Sequence, residues 1–428
     1  MPERLSRSIS SRPPAQRGAR PQESAAEEQL APGAPDWSVF VWTLFLAGFA
    51  TFALLFAPQA FLPALSQQLA VDADAASMTV SATALGVAAG VLGWAGLSNR
   101  LGRLRTIRIS LLLALLLAVT VPLLPNLPSV VAVRFVEGLA LGAAPAVGMA
   151  LIAERIDSRW SAHVAGTFVA GNTLGGIVGR LASGAVADVG GWRAAFWTSA
   201  GTAAVAIVAL LVLSRRLADH RPAETPHGTG RALLANLRDP HMLALYLQGF
   251  LLMGAFGAVY NVFGYRVQEP DIGVPAWAAS ALFIVYLTGS LAAQRSGALA
   301  RRAGTVPTMV AGSVGMLLSL PMMASDILAL MVAGLVLFTV GCFTTHPLAS
   351  GLSGRSARIG RPQSTALYQI AWLGGTSLFG WLGGLAYATA DWTTTLALVA
   401  VLCAVAALAA VLGGTVFRHR SPPVLTER

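Results

Sequence analysis

The sequence predicts an all-α membrane protein with twelve transmembrane helices, arranged as two six-helix bundles related by a pseudo-twofold axis. Three observations lead to this fold class: the composition, the number of long apolar segments, and the repetition of short motifs about 200 residues apart. Hydrophobic residues make up 55% of the chain and charged residues 11%, whereas a soluble domain carries about 25% charge. The chain is therefore too apolar to be a soluble domain.

The apolar segments are long enough to cross a membrane as helices. A spanning helix needs about 20 mostly apolar residues, because the hydrocarbon layer is about 30 Å thick and each residue rises about 1.5 Å. None of the segments shows the alternating pattern of a transmembrane β-strand. The twelve predicted spans are residues 39–61, 77–98, 107–124, 128–152, 162–187, 193–213, 241–263, 275–296, 306–323, 327–349, 364–388 and 393–414.

The longest connection between spans divides the chain into halves. The segment before the first span is rich in Pro, Ser and Arg, and we expect it to be disordered. The predicted organisation is a cytoplasmic tail 1–36, an N-terminal bundle 37–213, a cytoplasmic linker 214–240, a C-terminal bundle 241–415 and a second tail 416–428.

The distribution of basic residues predicts the orientation, because arginines near span ends are retained in the cytoplasm. All 29 basic residues are arginine, and 25 of them fall in cytoplasmic segments if the amino terminus is inside. Arg193 and Arg266 lie outside, and Arg134 and Arg180 lie within spans. We expect a multi-pass protein of the inner (plasma) membrane with both termini in the cytoplasm. Because the arginines are spread over short loops, no patch suited to nucleic acid is expected.

Short motifs recur in the two halves. "GLSNRLGR" (96–103) follows the second predicted span, and "GALARRAG" (297–304) follows the eighth. "GNTLGGIVGRLASG" (171–184) in the fifth span is matched by "WLGGTSLFGWLGG" (372–384) in the eleventh. Duplicated halves with a binding site between them, near the middle of the membrane, are typical of secondary transporters.

These motifs resemble those of the major facilitator superfamily. Residues 96–103 resemble its first signature, Gly-x-Leu-Ser-Asp-Arg-x-Gly-Arg, with Asn99 at the acid position, and the second copy has Arg301 there. "RFVEGLALGA" (134–143) resembles the fourth-helix signature, with Glu137 in place of glutamine. "GNTLGG" resembles the fifth-helix Gly-Pro-x-x-Gly-Gly signature of antiporters, with Asn172 in place of proline. Together with "AVYNVFGYR" (258–266) and "GCFTTHPLAS" (341–350), it is most similar to YnfM-type inner-membrane transporters, a branch grouped with drug and sugar efflux proteins.

The resemblance implies a secondary transporter of a small organic solute that works by alternating access, with proton-coupled efflux as the first expectation. The alternative is an importer or uniporter of an organic anion or a sugar. The first span lacks the aspartate that is typical of twelve-helix drug:proton exporters. No cofactor is expected, and the resemblance implies a monomer whose partners are the solute, protons and the lipid bilayer.

Two charged residues inside the fourth span are the first functional candidates. A charge at the centre of a spanning helix costs about 2.5 to 3.5 kcal/mol, and Glu137 is the one acid of the chain placed well inside a span. Arg134 and Glu137 are three positions apart and share a helix face. In one interpretation Glu137 takes up a proton when Arg134 is drawn away. In the other, the two residues form a permanent ion pair that fixes the fourth helix.

Polar and aromatic residues of other spans are the candidates for the substrate cavity. Arg180 either extends to the surface or pairs with Asp188 at the helix end, or it contacts an anionic substrate. The amides and rings suit a neutral or amphipathic solute. The candidate cavity residues are Gln59, Asn172, Arg180, Gln248, Tyr260, Asn261, Tyr368, Gln369 and Trp372.

The two motif loops predict a cytoplasmic gate. Their arginines are able to pair with acids and with carbonyl ends of helices, and without an acid at either motif position we expect the gate to be held weakly. His346 is either a structural gate residue or a proton relay. The candidate gate residues are Asn99, Arg100, Gly102, Arg103, Glu154, Arg301, Arg302, Gly304 and His346.

The sequence contains none of the motifs that would indicate an enzyme. There is no HExxH, no nucleophile elbow, no Gly-rich phosphate loop and no pair of acids at membrane depth. The only cysteines, Cys342 and Cys403, lie in apolar runs and suit neither a disulfide framework nor a metal site. A channel or a structural scaffold is the other class, and the twofold repeat argues against it.

Overall fold

The computed structural model describes residues 29–219 and 229–418, with side chains described for 29–219 and 230–413. These residues form helices, and the only β-type pairing among them is a bridge between Leu30 and Ile156. The predictions of a disordered tail and of a cytoplasmic second tail fall largely on residues 1–28 and 419–428, outside the described residues. Residues 220–228 of the predicted linker also lie outside them.

The first half contains a short helix and a broken span beside its long helices. A 3-10 turn, Ala57–Ala60, separates the first two helices. The helices are α1 (Trp37–Leu55), α2 (Leu62–Leu69), α3 (Ala73–Leu101), α4 (Arg103–Thr120), α5 (Leu127–Leu141), α6 (Ala143–Arg155) and α7 (Ser158–Ser214).

The second half repeats the pattern of long helices joined by short connections. A short helix, α8, precedes it, and a 3-10 turn, Leu282–Val285, lies between α10 and α11. The helices are α8 (Thr229–Leu237), α9 (Pro240–Gln268), α10 (Ala276–Ala281), α11 (Tyr286–Ala303), α12 (Thr305–Met323), α13 (Leu328–Ser356), α14 (Arg361–Thr389) and α15 (Trp392–Arg418).

The helices agree with the prediction of twelve spans. In the described part of the chain, 10 helical stretches are long and apolar enough to cross a membrane. One of them, α7, has 57 residues and supplies the fifth and sixth predicted spans. The predicted eleventh span lies in α14, which has 29 residues and is not among those 10 stretches. The fold is therefore the all-α membrane architecture of two six-helix bundles that the sequence predicts.

Gly191 makes the turn between the two spans of α7. Its φ of +73° lies in the left-handed region, which glycine adopts without a side-chain penalty. A Cβ atom at this position would stand 2.5 Å from Oε1 of Gln68. Gln68 accepts a hydrogen bond from the backbone N–H of Trp192 at 3.3 Å, so the turn is held against α2.

Asp157 caps the other end of α7. Its carboxylate accepts a hydrogen bond from the backbone N–H of Arg159 at 2.9 Å, and the guanidinium of Arg159 lies 2.9 Å from the same carboxylate. These hydrogen bonds lower the pKa of Asp157 to about 2. The cap therefore keeps its charge across the physiological pH range, which suits the positive end of a helix.

Glycines let α1 and α7 approach closely within the first half. Cβ atoms at Gly171, Gly175 and Gly179 would stand 2.2, 2.1 and 2.7 Å from backbone carbonyl oxygens of α1. The corresponding helices of the second half, α9 and α14, pack in the same way, since a Cβ at Gly375 would stand 1.9 Å from the carbonyl of Phe250. Small residues are the usual means of close helix packing in lipid, and each half is therefore joined along a glycine seam.

The glycine seam predicts a position-specific effect of a single methyl group. We expect Gly175→Ala to lower the free energy of unfolding by about 1 to 3 kcal/mol, because its Cβ would overlap a backbone oxygen that has no room to move. Gly166→Ala is the matched control in the same helix, since nothing lies within 4 Å of its added Cβ. Thermal unfolding of the purified variants in detergent compares the two. Equal melting temperatures would show that the seam is loose.

Candidate functional site

A cavity of about 370 Å³ lies between the two halves. Most of its wall is apolar or aromatic, with a few polar groups. Its lining includes Phe52, Phe56, Gln59, Met149, Asn172 and Arg180 from the first half and Phe256, Tyr286, Phe343, His346, Gly351, Thr365, Gln369 and Trp372 from the second. The size falls within the range of about 300 to 1,000 Å³ that is common for small-molecule sites.

The cavity extends toward one face of the protein. We call the face at which α1 begins and α15 ends the terminal face. Gln59 and Arg180 lie at the deep end of the cavity, whereas Gly351 and Thr365 lie near the ends of their helices at the terminal face. Met149 and Gly351 are exposed. A solute would therefore reach the cavity from the terminal face.

The opposite face is closed by hydrogen bonds between the halves. The amide Nε2 of Gln59 donates to Oδ1 of Asn261 at 2.8 Å. The hydroxyls of Ser66 and Tyr265 are 2.6 Å apart. The hydroxyl of Ser377 donates to the carbonyl of Ser81 at 2.7 Å. We call this set of contacts the opposite-face seal.

Arg180 lies at the floor of the cavity, with 1% of its surface exposed. Its guanidinium donates to Oε1 of Gln59 from Nε at 3.0 Å and from Nη2 at 2.6 Å, and to the carbonyl of Gly176 at 2.8 Å. It also donates to the hydroxyl of Tyr286, in the other half, at 3.1 Å. The prediction that Arg180 extends to the surface or pairs with Asp188 is therefore wrong, because its side chain points between the bundles.

His346 lines the cavity, and its expected role at the gate stays a prediction. Its Nδ1 is 2.9 Å from the hydroxyl of Tyr368, and its ring packs edge-on against Trp372, with 5.9 Å between the ring centroids. The sequence prediction followed the position of His346 along its span. It did not indicate that the cavity reaches this far along α13.

The structure brings together about half of the predicted cavity residues. Gln59, Asn172, Arg180, Gln369 and Trp372 line the cavity. Oδ1 of Asn172 is buried without a hydrogen-bond partner in the described chain. Trp372 donates from its indole to Oε1 of Gln369, so these two residues form one polar group on the wall.

The other four predicted cavity residues lie elsewhere, for geometric reasons. Tyr260 and Asn261 are one helical turn beyond the cavity residues Phe256 and Gly257. Asn261 belongs to the seal, whereas the hydroxyl of Tyr260 lies 2.7 Å from that of Thr339 within the second half. Tyr368 lies behind His346. Gln248 is on another face of α9 and borders a separate pocket of about 20 Å³ with Val306 and Ala409. These four predictions as cavity lining are wrong.

Aromatic side chains form the part of the cavity that sequence reasoning missed. Phe52, Phe56, Tyr286 and Phe343 line it, but apolar rings in an apolar span give no signal of their function. Phe52 and Phe56 are four positions apart and share a helix face. That spacing beside the polar Gln59 is the one pattern that could have indicated them.

Arg134 and Glu137 form an ion pair inside the first half, away from the cavity. Nη1 of Arg134 is 2.8 Å from Oε2 of Glu137, and Glu137 is fully buried. Nη2 of Arg134 donates to the carbonyls of Leu54 and Leu55 at 3.1 and 3.0 Å. The carbonyl of Leu54 lacks its usual helical donor, because the residue four positions later is Pro58. Arg134 thus supports the break at the end of α1.

This geometry favours the permanent ion pair over the proton role that we considered for Glu137. Nε of Arg134 donates to the carbonyl of Thr79 at 3.1 Å, and its Cζ lies 5.8 Å from the ring centroid of Phe196. The contacts of its guanidinium are therefore with α1, α3, α5 and α7 of one bundle. Neither residue lines the cavity. A substrate in the cavity therefore has no direct route by which to draw Arg134 away.

The motif loops at the terminal face carry one predicted ion pair and one carboxylate that was not predicted. Arg103 pairs with Glu154 at 2.7 Å, within the first half, and also donates to Ser98. Asp219 accepts a hydrogen bond from the backbone N–H of Leu104 at 2.9 Å, at the start of α4. A residue of the connection between halves thus brings a carboxylate to the motif loop whose own acid position holds an asparagine. The pattern within residues 96–103 could not have indicated it.

The remaining gate candidates differ in exposure and backbone. Asn99, Arg100, Arg301 and Arg302 are exposed. Gly102 and Gly304 have φ values of +94° and +91° at matching positions of the two halves, which explains why both loops need glycine. That these residues form a cytoplasmic gate, and that this gate is held weakly, remain predictions.

The sequence model of the Major Facilitator Superfamily matches residues 44–304. The chain belongs to this superfamily. It is 31% identical over 380 residues to the inner membrane transport protein YnfM of Escherichia coli, with 88% of this chain and 90% of that protein covered. It is 28% identical over 375 residues to the uncharacterized transporter YybF of Bacillus subtilis, with 87% of this chain and 93% of that protein covered.

A solved structure supports the fold assignment for this superfamily member. The chain is similar to a bacterial homologue of the human lysosomal transporter Spinster, in an inward-facing and occupied conformation, with a TM-score of 0.71. The superposition covers 91% of this chain and 99% of the other at 16% identity. The superfamily member described here is thus a multi-pass membrane transporter with the fold predicted from its sequence.

The buried ion pair of this transporter predicts a stability effect. Glu137→Gln should lower the free energy of unfolding by about 3 to 5 kcal/mol, because it leaves the charge of Arg134 buried without a carboxylate. Glu154→Gln removes a partly exposed pair and should cost at most about 1 kcal/mol. Thermal unfolding in detergent measures both. A Glu137→Gln variant as stable as the parent would contradict the structural role.

Proposed function

We propose that this transporter exports a small organic solute in exchange for protons, by alternating access at the cavity between its halves. One observation carries the proposal: the cavity is lined by both bundles, opens toward the terminal face and is closed by the opposite-face seal. A second state that opens the seal and closes the terminal face would carry the solute across. We infer that the moving bodies are residues 37–213 and 241–415, joined by 214–240, in a monomer without a cofactor.

The orientation predicted from the arginines gives the direction of the described state. If both termini are cytoplasmic, the terminal face is the cytoplasmic face, and the cavity is open to the cytoplasm. A solute would then enter from inside the cell. This is the state in which an exporter loads its substrate.

His346 is our candidate for the proton-binding group. Among the described residues that line the cavity there is no carboxylate, and Glu137 lies outside it. Histidine changes its charge near neutral pH, and the groups that share the cavity with it are Arg180, Tyr286 and Gln369, with Tyr368 behind its ring. Nε2 of His346 has no hydrogen bond within the described chain. A proton taken up there would add a second positive charge to the cavity that Arg180 lines.

The alternative function is import or facilitated diffusion of an organic anion. Arg180 is compatible with it, because a buried cation in a carrier cavity suits an anionic solute whatever the direction of transport. The two functions differ in coupling. An exporter driven by protons accumulates solute in inside-out vesicles only when their interior is acidic, whereas a uniporter equilibrates it.

The coupling test uses a ligand found in a thermal-shift screen of the purified protein. Inside-out vesicles with an acidic interior should accumulate that ligand, and His346→Gln should abolish accumulation but retain exchange of labelled for unlabelled ligand. Glu137→Gln, in vesicles matched for the amount of folded transporter, should still accumulate ligand. Loss of coupling in Glu137→Gln with normal coupling in His346→Gln would reverse the assignment. Equilibration without accumulation in the parent would support the uniporter.

A further inference from the structure

The geometry points to a binding site for one organic anion at Arg180, and to Gln59 as the residue through which that anion loosens the opposite-face seal. This inference rests on the proposed function, because it names the substrate class of the same cavity. It adds the chemical group that the cavity recognises and the contact that weakens when this group binds.

Arg180 carries a buried charge that no acid neutralises. Its side chain is 1% exposed, and no carboxylate contacts it anywhere in the described ranges. A buried guanidinium normally has a carboxylate or phosphate partner, since removing a charge from water is costly. Arg134 has such a partner in Glu137. Arg180 is equally buried, but where Arg134 has a carboxylate partner Arg180 borders a cavity.

The present partners of Arg180 satisfy its donors but not its charge. Gln59, Gly176 and Tyr286 accept hydrogen bonds with neutral oxygens. The rings of Phe56, Phe283 and Tyr286 lie 5.1, 5.0 and 4.6 Å from Cζ of Arg180 and stabilise the cation by their π-faces. This setting keeps the residue charged and ready for a stronger acceptor.

A carboxylate entering from the cavity is that stronger acceptor. Hydrogen bonds to an ionised acceptor are about twice as strong as those between neutral groups, and a carboxylate matches the guanidinium with two parallel bonds. Oε1 of Gln59 now receives two bonds from Arg180, so the anion would take the place of this oxygen. The aromatic wall beside Arg180 suits the apolar body of the same solute.

The cavity is built for a single negative charge. Arg180 is its one permanently charged residue among those described, and His346 is cationic only when protonated. The other polar groups are amides and hydroxyls, including the unpaired Oδ1 of Asn172. A dianion would leave its second charge without a cation. An organic cation with an apolar body would lie beside the positive charge of Arg180 and be repelled.

The displaced Gln59 connects the anion to the seal. Arg180 fixes one end of the Gln59 amide, and the other end donates to Asn261 of the second half at 2.8 Å. Nδ2 of Asn261 has no partner in the described chain, so this single bond holds its amide to the first half. When the anion takes Arg180, Gln59 and Tyr286 lose their anchor, and this cross-half bond of the seal is weakened.

Binding of matched acids and amides to the purified full-length protein tests the anion site. The probes are 2-naphthoate, indole-3-acetate and decanoate, each against its uncharged carboxamide, by isothermal titration calorimetry in detergent. The best-bound acid should bind at least about tenfold more tightly than its amide. Arg180→Gln should remove the difference. Gln59→Glu should also remove the difference, because the new carboxylate would pair with Arg180 in place of the ligand. The same buried ion pair should keep this variant folded.

Crosslinking tests the connection to the seal. In a Cys342→Ser, Cys403→Ser background, cysteines at positions 66 and 265 replace the hydroxyl pair of the seal. The acid that binds best should slow their crosslinking, its amide should not, and Arg180→Gln should abolish the effect. Equal binding of acids and amides in the parent would overturn the anion site. A crosslinking rate that saturating acid leaves unchanged would overturn the role of Gln59. Neither result depends on proton-driven flux, so failure of the anion site is distinguishable from failure of the exporter proposal.

Discussion

The requirement that every buried polar group find a partner inside the protein governs this transporter more than any other constraint. Hydrocarbon offers no hydrogen bonds, so each unsatisfied group costs several kcal/mol. The two intramembrane arginines meet this requirement in different ways. Arg134 has a carboxylate and three backbone carbonyls within one bundle. Arg180 has neutral acceptors from both bundles and a cavity beside it. The first arrangement lies within one bundle, although Oε1 of Glu137 has no partner in the described chain, and the second joins the two bundles.

The same distinction separates contacts that hold a bundle together from contacts that hold the bundles to each other. Within a half, the glycines of α7 and α14 place backbone against backbone along successive turns. Such packing allows no small adjustment. Between the halves, Gln59 with Asn261 and Ser66 with Tyr265 meet through side chains near the opposite face. Those bonds break by rotation of a few torsions, which suits rigid bodies that rock.

The sequence predicts well what depends on a local pattern. Span length and the duplicated glycine-rich segment 171–184 each follow from neighbouring residues, and the structure has both. It predicts poorly which face of a helix meets the cavity. Gln248 and Gln369 are both amides in apolar spans, but only Gln369 lines the cavity. That choice depends on how the helices are rotated in the bundle, and every face of a membrane helix is apolar enough to be ambiguous.

In the transport cycle that we propose, the seal must be weak enough for a ligand to open it. A hydrogen bond between neutral groups contributes about 0.5 to 1.5 kcal/mol net, so the seal bonds at Gln59, Ser66 and Ser377 together bias the two states by a few kcal/mol. A ligand shifts such an equilibrium only by the difference in its affinity for the two states. Two charge-assisted bonds to Arg180 that replace two neutral ones supply a difference of that size. A cavity floor built from the acceptors of one arginine is therefore a place where a single small solute can decide which face is open.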